Sequence, residues 1–112
     1  MKPQSAKNKG RSLQKWTRDV ILESFPSLEP DDVRSTSMGC GGEDIQLSPA
    51  ARKLFGFSVE CKNVERLNVY DAYDQACANS GDYEPILIMK KNRKKPLVVM
   101  DAETFIKLTT KL

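Results

Sequence analysis

Two carboxylates and one ammonium group stand where a loop and a strand could gather them. Asp44 follows the glycine-rich segment Gly39-Cys40-Gly41-Gly42-Glu43, and Glu60 and Lys62 belong to the run Ser58-Val59-Glu60-Cys61-Lys62-Asn63. In an extended chain alternate side chains share a face, so Glu60 and Lys62 point one way while Val59 and Cys61 point the other. With Asp44 at the end of a neighbouring strand, the trio is expected to hold a divalent metal beside a phosphate. The glycines permit positive φ and close approach of a ligand. Their amides, with the hydroxyls of Ser35, Thr36 and Ser37, are candidate phosphate donors.

Composition narrows the chemistry further. The chain has no histidine, which excludes His-based triads, His-ligated zinc and an imidazole general base. Carboxylate, lysine or metal-bound water must serve instead. Three cysteines, Cys40, Cys61 and Cys77, occur without CxxC spacing, so neither a disulfide framework nor a zinc ribbon is indicated and a reduced, intracellular setting is expected. No run approaches the ~20 apolar residues of a membrane span, and the first residues lack the apolar core of a signal peptide. A soluble, cytoplasmic protein is expected.

The 18 Lys and Arg exceed the 15 Asp and Glu only slightly, but they are clustered. Lys2, Lys7, Lys9, Arg11, Lys15 and Arg18 precede the first acid, Asp19, and Lys90, Lys91, Arg93, Lys94 and Lys95 crowd one later segment. Such clusters suit a polyanion such as nucleic acid.

The positioning elements follow from periodicity. At 112 residues the chain has the size of one domain, divided here into a flexible basic arm (1–10) and a single folded unit (11–112). Leu13, Trp16, Val20 and Ile21, with Phe25, form one helical stripe over 11–25, ended by Pro26, and Trp16 is expected in the core. A turn at 28–32, a first strand at 33–37 and a half-buried strand at 44–47 follow. Ser48 then caps a short helix with Pro49 in its first turn.

Residues 57–62 read as a strand, and Asn68 caps a core helix carrying Val69, Ala72, Tyr73, Ala76 and Cys77. The apolar runs 85–89 and 97–100 flank the basic segment as two buried strands of a hairpin. Asp101 caps a final helix with Phe105, Ile106 and Leu108 inward. The order predicts an α/β fold with a central mixed sheet flanked by helices.

These residues resemble the PD-(D/E)xK nuclease superfamily, and within it the small Holliday-junction resolvases and related phage endonucleases. The resemblance rests on Asp44 with Glu60-Cys61-Lys62, the helix entry Gly10-Arg11-Ser12-Leu13, the glycine loop before Asp-Ile, a helix bearing Gln75, and the basic hairpin before an acid-capped helix. It covers the chain from Gly10 to Leu108. It implies a restriction-endonuclease-like core and a Mg²⁺-dependent endonuclease, with Mn²⁺ able to substitute, that cuts branched or distorted duplex DNA as a homodimer.

Asp44, Glu60 and the main-chain carbonyl of Cys61 are the implied metal ligands, Lys62 the water-orienting or phosphate-stabilising group, and Gln75 a supporting side chain of the site. Gln14 aligns where the family carries a glutamate; it can support the metal through its amide oxygen but brings no charge. Lys7, Lys9, Arg11 and Ser37, with Lys90, Lys91, Arg93, Lys94 and Lys95, are expected to contact DNA phosphates. A phage-encoded enzyme of this kind acts in the host cytoplasm. The alternatives are a nicking or restriction-type nuclease, a non-cleaving DNA-binding module on the same scaffold, and an RNA- or nucleotide-processing enzyme using the same metal trio.

Overall fold

In the computed structural model, residues 3–36 and 42–112 are described. Helix α1 spans Pro3–Ser24, a 3₁₀ turn Pro30–Asp32 leads into strand β1 (Val33–Ser35), and β2 (Ile45–Leu47) follows the glycine segment. Helix α2 (Pro49–Leu54), strand β3 (Phe57–Asn63) and helix α3 (Val69–Ala78) come next. Strands β4 (Glu84–Lys90) and β5 (Leu97–Val99) precede helix α4 (Ala102–Thr109). This is an α/β fold: β1 and β2 form an antiparallel pair, and β3–β4–β5 form a mixed sheet, parallel between β3 and β4 and antiparallel between β4 and β5.

The pleat sorts the sheet into two faces. Val59 and Cys61 stand beside Ile86 and Ile88, whereas Glu60 and Lys62 stand beside Leu87 and Met89. Helix α1 packs against β3 and β1, and α3 against β3 and β4. The core joins Leu13 and Ile21 of α1 to Val33, Ile45, Ala51, Val59 and Ile86. Three caps act as the sequence indicates. Ser48, Asn68 and Asp101 each accept a backbone N–H of the first turn of their helix, satisfying donors the helix itself leaves open.

Four expectations are corrected. The segment assigned to a basic arm forms the first turns of α1 from Pro3 onward. Proline is pre-shaped for a first turn, and the helix is tied to β3 where Asn63 Nδ2 donates to the Lys9 carbonyl at 3.0 Å. Trp16 is 44 % exposed rather than core, because Leu13, Gln14, Thr17 and Ile21 occupy the buried stripe. Strand β5 is an edge strand with Leu97 and Val98 exposed, since it has a partner on one side alone. On α4, Phe105 and Ile106 face outward at 55 % and 62 % exposure.

Strands β1 and β2 are also shorter than expected, ending at Ser35 and beginning at Ile45. Among the described residues, no helix is long and apolar enough to cross a membrane.

Candidate metal and phosphate site

Strand β3 carries the Glu-Cys-Lys step. Its residues alternate, and the Glu60 face lies under α3, which leaves Glu60 only 4 % exposed. Lys62 Nζ lies 3.6 Å from Glu60 Oε2, and Asn79 at the end of α3 donates to Glu60 Oε1 at 3.4 Å. Asp44 arrives from the other edge of the strand. Its N–H donates to the Val59 carbonyl at 2.9 Å, and its Oδ2 accepts the Cys61 N–H at 2.7 Å.

That pairing also orients a carbonyl. In a strand the N–H and C=O of one residue point to the same side, so the Cys61 carbonyl faces the Asp44 edge and not β4. Two side-chain carboxylates and one main-chain oxygen therefore border one place.

The electrostatics express this closeness. Burial raises the Asp44 carboxyl above its ordinary range, and the Cys61 N–H and the Lys62 charge pull it partly back. Burial also raises Glu60, helped by the Asp44 charge and opposed by Lys62 and Asn79. The Cys61 thiol is pushed up to about 12, first by burial, with Thr17 opposing and Asp44 and Glu60 adding to the rise. Glu60 and the Cys61 thiol both sense the Asp44 charge, and one ammonium faces two carboxylates. A divalent cation suits that deficit of positive charge.

The donor set is oxygen throughout, which suits Mg²⁺ or Mn²⁺, and Mg²⁺ ordinarily binds through one or two carboxylates with water completing its shell. Among the described residues no three His, Cys, Asp or Glu side chains gather as a metal-holding set. Carbonyl and water ligands would therefore have to complete the coordination.

The Asp44 segment is braced from behind. Thr36 N–H donates to the Asp44 carbonyl at 2.8 Å, and its hydroxyl to the Glu43 carbonyl at 2.5 Å. The Thr36 hydroxyl is thus committed to the loop. Gly42 holds φ at 89°, a left-handed conformation that glycine adopts without a Cβ penalty. Arg52 of α2 pairs with the Glu43 carboxylate, donates to the Phe57 carbonyl at 3.1 Å and stacks 3.9 Å over the Tyr83 ring.

Other expected site residues are dispersed. Gln14 is buried on α1 at 5 % exposure. Gln75 is exposed on α3, and the α3 side chain that reaches Glu60 is Asn79, one helical turn later. By sequence Asn79 reads as a helix terminator; its i+4 relation to Gln75 is the available signal for a site role. Lys7 and Arg11 are exposed, as are Lys91, Arg93, Lys94 and Lys95 between β4 and β5.

Lys90 is half-buried, with its Nζ donating to the Lys91 carbonyl at 3.1 Å. The Lys9 ammonium is enclosed, 4.0 Å from Glu65. The hairpin tip is held by Lys94 N–H to the Lys91 carbonyl and by Asn92 N–H to Glu65 Oε2, with Arg93 at φ 64°. Ser37, Gly39, Cys40 and Gly41 lie outside the described residues. Cys77, expected on the core stripe of its helix, is exposed.

No protein-family model matches the chain, and no curated protein or solved structure matches it either.

Proposed function

We propose that this chain is a Mg²⁺-dependent endonuclease with a restriction-endonuclease-like core, which hydrolyses phosphodiesters in branched or distorted duplex DNA. The observation that carries the reading is the meeting of Asp44, Glu60 and Lys62 at one edge of β3, with Asp44 bonded to the Cys61 amide. Asp44, Glu60 and the Cys61 carbonyl would hold the cation. When bound, it supplies a water acidic enough to attack near neutral pH and a counter-charge for the reacting phosphate.

The chain's own groups do the rest. Asn79 holds one oxygen of Glu60, leaving the other toward Lys62. Lys62 is 30 % exposed and so reaches a phosphate oxygen or the attacking water while anchored beside the carboxylates. Lys7, Arg11 and the held hairpin tip with Lys91, Arg93, Lys94 and Lys95 grip phosphates without reading bases.

Two symmetric incisions need two sites, and a homodimer supplies them. An apolar groove of about 340 Å³, bordered by Trp16, Val20, Phe55, Ile88, Val98 and Met100, offers a second copy a surface. A DNA substrate and unpaired thiols fit the cytoplasm, that of the host if the chain is phage-encoded.

The test is incision of a four-way junction and of the matching linear duplex in Mg²⁺ or Mn²⁺. Wild type should cut the junction, while Asp44→Asn, Glu60→Gln and Lys62→Ala should lose about 10²–10³-fold in rate, the scale of a lost electrostatic group, and keep their junction affinity. Binding without incision in either metal would make the chain a binding module, as the uncharged Gln14 allows. Sequence-dependent cutting of the linear duplex would instead favour the restriction-type reading.

A further inference from the structure

A second cationic surface borders the Asp44 segment between α1 and β1. An open cleft of about 770 Å³ between α1 and β1 is bordered by Arg11, Lys15, Arg18 and Arg34, with Gln14 and Thr36 among the residues at its wall. Among the described residues, no carboxylate lines it. Thr36 connects it to the trio, since its N–H donates to the Asp44 carbonyl.

The four cations differ in availability. Arg18 is committed to the scaffold: its Nε donates to the Val33 carbonyl at 2.8 Å, its Nη2 to the Pro30 carbonyl at 3.2 Å, and its Nη1 to Asp19 at 3.3 Å. It ties α1 to β1 and thereby shapes the cleft. Arg34 meets Asp31 at 3.3 Å, but both side chains are largely solvated, so that pair restrains it little. Arg11 and Lys15 are exposed on α1.

Spacing indicates the ligand. Arg11 and Lys15, the free cations of the helix wall, lie at i and i+4, about 6 Å apart at 1.5 Å per residue. One strand of a duplex presents a phosphate about every 3.4 Å along its axis, so this pair spans neighbouring phosphates of one strand, with Arg34 of β1 across the cleft as a further cation. The cleft is too open to enclose a single nucleotide, and the residues that line it include no aromatic ring on which a base could stack.

We infer that the α1–β1 cleft binds the sugar–phosphate backbone of a duplex arm flanking the cut, with Arg11, Lys15 and Arg34 as its phosphate contacts and Arg18 as the residue that positions β1. The inference rests on the nuclease reading for the identity of the ligand, and it adds the α1–β1 cleft to the surface that ligand would cover. Lys15 and Arg34 are the new contacts.

The experiment is fluorescence anisotropy of the full chain with a labelled linear duplex in EDTA, across a KCl series. Lys15→Ala with Arg34→Ala should reduce the slope of log K against log salt by about 2, at ~0.9 per neutralised phosphate. Lys15→Arg with Arg34→Lys should leave the slope as in wild type. A slope unchanged in the alanine pair overturns the inference, as does a slope lowered equally in the charge-retaining pair. Melting curves of both variants check that these exposed positions leave the fold intact. Cleavage plays no part in the readout. A chain that never cuts but shows the slope change upholds the cleft alone, and one that cuts with an unchanged slope removes the cleft alone.

Discussion

Glu60→Gln tests the charge balance of the site in two directions at once. The glutamine keeps the shape and the Asn79 contact while removing a charge that is 4 % exposed. Because burial and Asp44 raise the folded-state pKa of Glu60, the native chain binds its proton more readily than the unfolded chain does. Stability from this group is therefore full below the unfolded pKa, about 4.3, and is lost as pH rises through the folded value. In EDTA at neutral pH the variant should melt at or above wild type, and the difference should close in acid.

With metal the sign reverses. A unit charge about 4 Å away at an effective dielectric of about 20 is worth ~4 kcal/mol, so removing one of two carboxylates should weaken a divalent ion at least about 100-fold. At a Mn²⁺ concentration of ~100 Kd, wild type gains about 2.7 kcal/mol and the variant only ~0.4 kcal/mol. At ~4 °C per kcal/mol for a domain of this size, the melting temperature should rise by about 10 °C in wild type and about 2 °C in Glu60→Gln. Differential scanning fluorimetry in EDTA and in Mn²⁺, from acid to neutral pH, reads all four numbers. Equal metal shifts in the two proteins would refute Glu60 as a ligand. A variant melting clearly below wild type in EDTA at neutral pH would refute the excess of negative charge.

Two further outcomes are expected. Cys61, buried with its thiol pushed up to about 12, should resist alkylation at pH 8 in the native chain while exposed Cys77 reacts; mass mapping of the labelled peptides checks this, and rapid native labelling of Cys61 would contradict its packing against Thr17. Replacing Lys91, Arg93 and Lys94 with alanine should flatten the salt slope of DNA binding by about 0.9 for each phosphate no longer neutralised. An unchanged slope in an anisotropy titration would take the hairpin tip out of the interface.

The local elements are legible in the sequence because their signals are short-range. Ser48-Pro49, Asn68 and Asp101 announce their helices through capping chemistry, and the apolar run at 85–89 marks the strand at the centre of the three-stranded sheet. Side-chain direction along β3 is equally readable, since strand alternation alone places Glu60 and Lys62 on one face.

What escapes the sequence is tertiary. Trp16 lies on the helical stripe by spacing, yet Gln14 and Thr17 take the buried positions, with Thr17 bonded back to the Leu13 carbonyl and touching Cys61. Leu97 and Val98 read as buried because an apolar run does not reveal that its strand will be an edge. Asn79 as the Glu60 partner, and the cleft joining Lys15 to Arg34, depend on how α3 and β1 dock. Neither relation is written in local sequence.

In the proposed site Asp44 and Glu60 share one cation, with Lys62 beside it. Anomalous diffraction from crystals of the chain soaked in Mn²⁺ would locate that ion. One strong peak is expected within about 2.1 Å, the contact distance of a Mg²⁺-sized ion, of a carboxylate oxygen from each residue, with its loss in Asp44→Asn. A saturating soak that leaves this edge of β3 without a peak, or a peak that persists unchanged in Asp44→Asn, would contradict it.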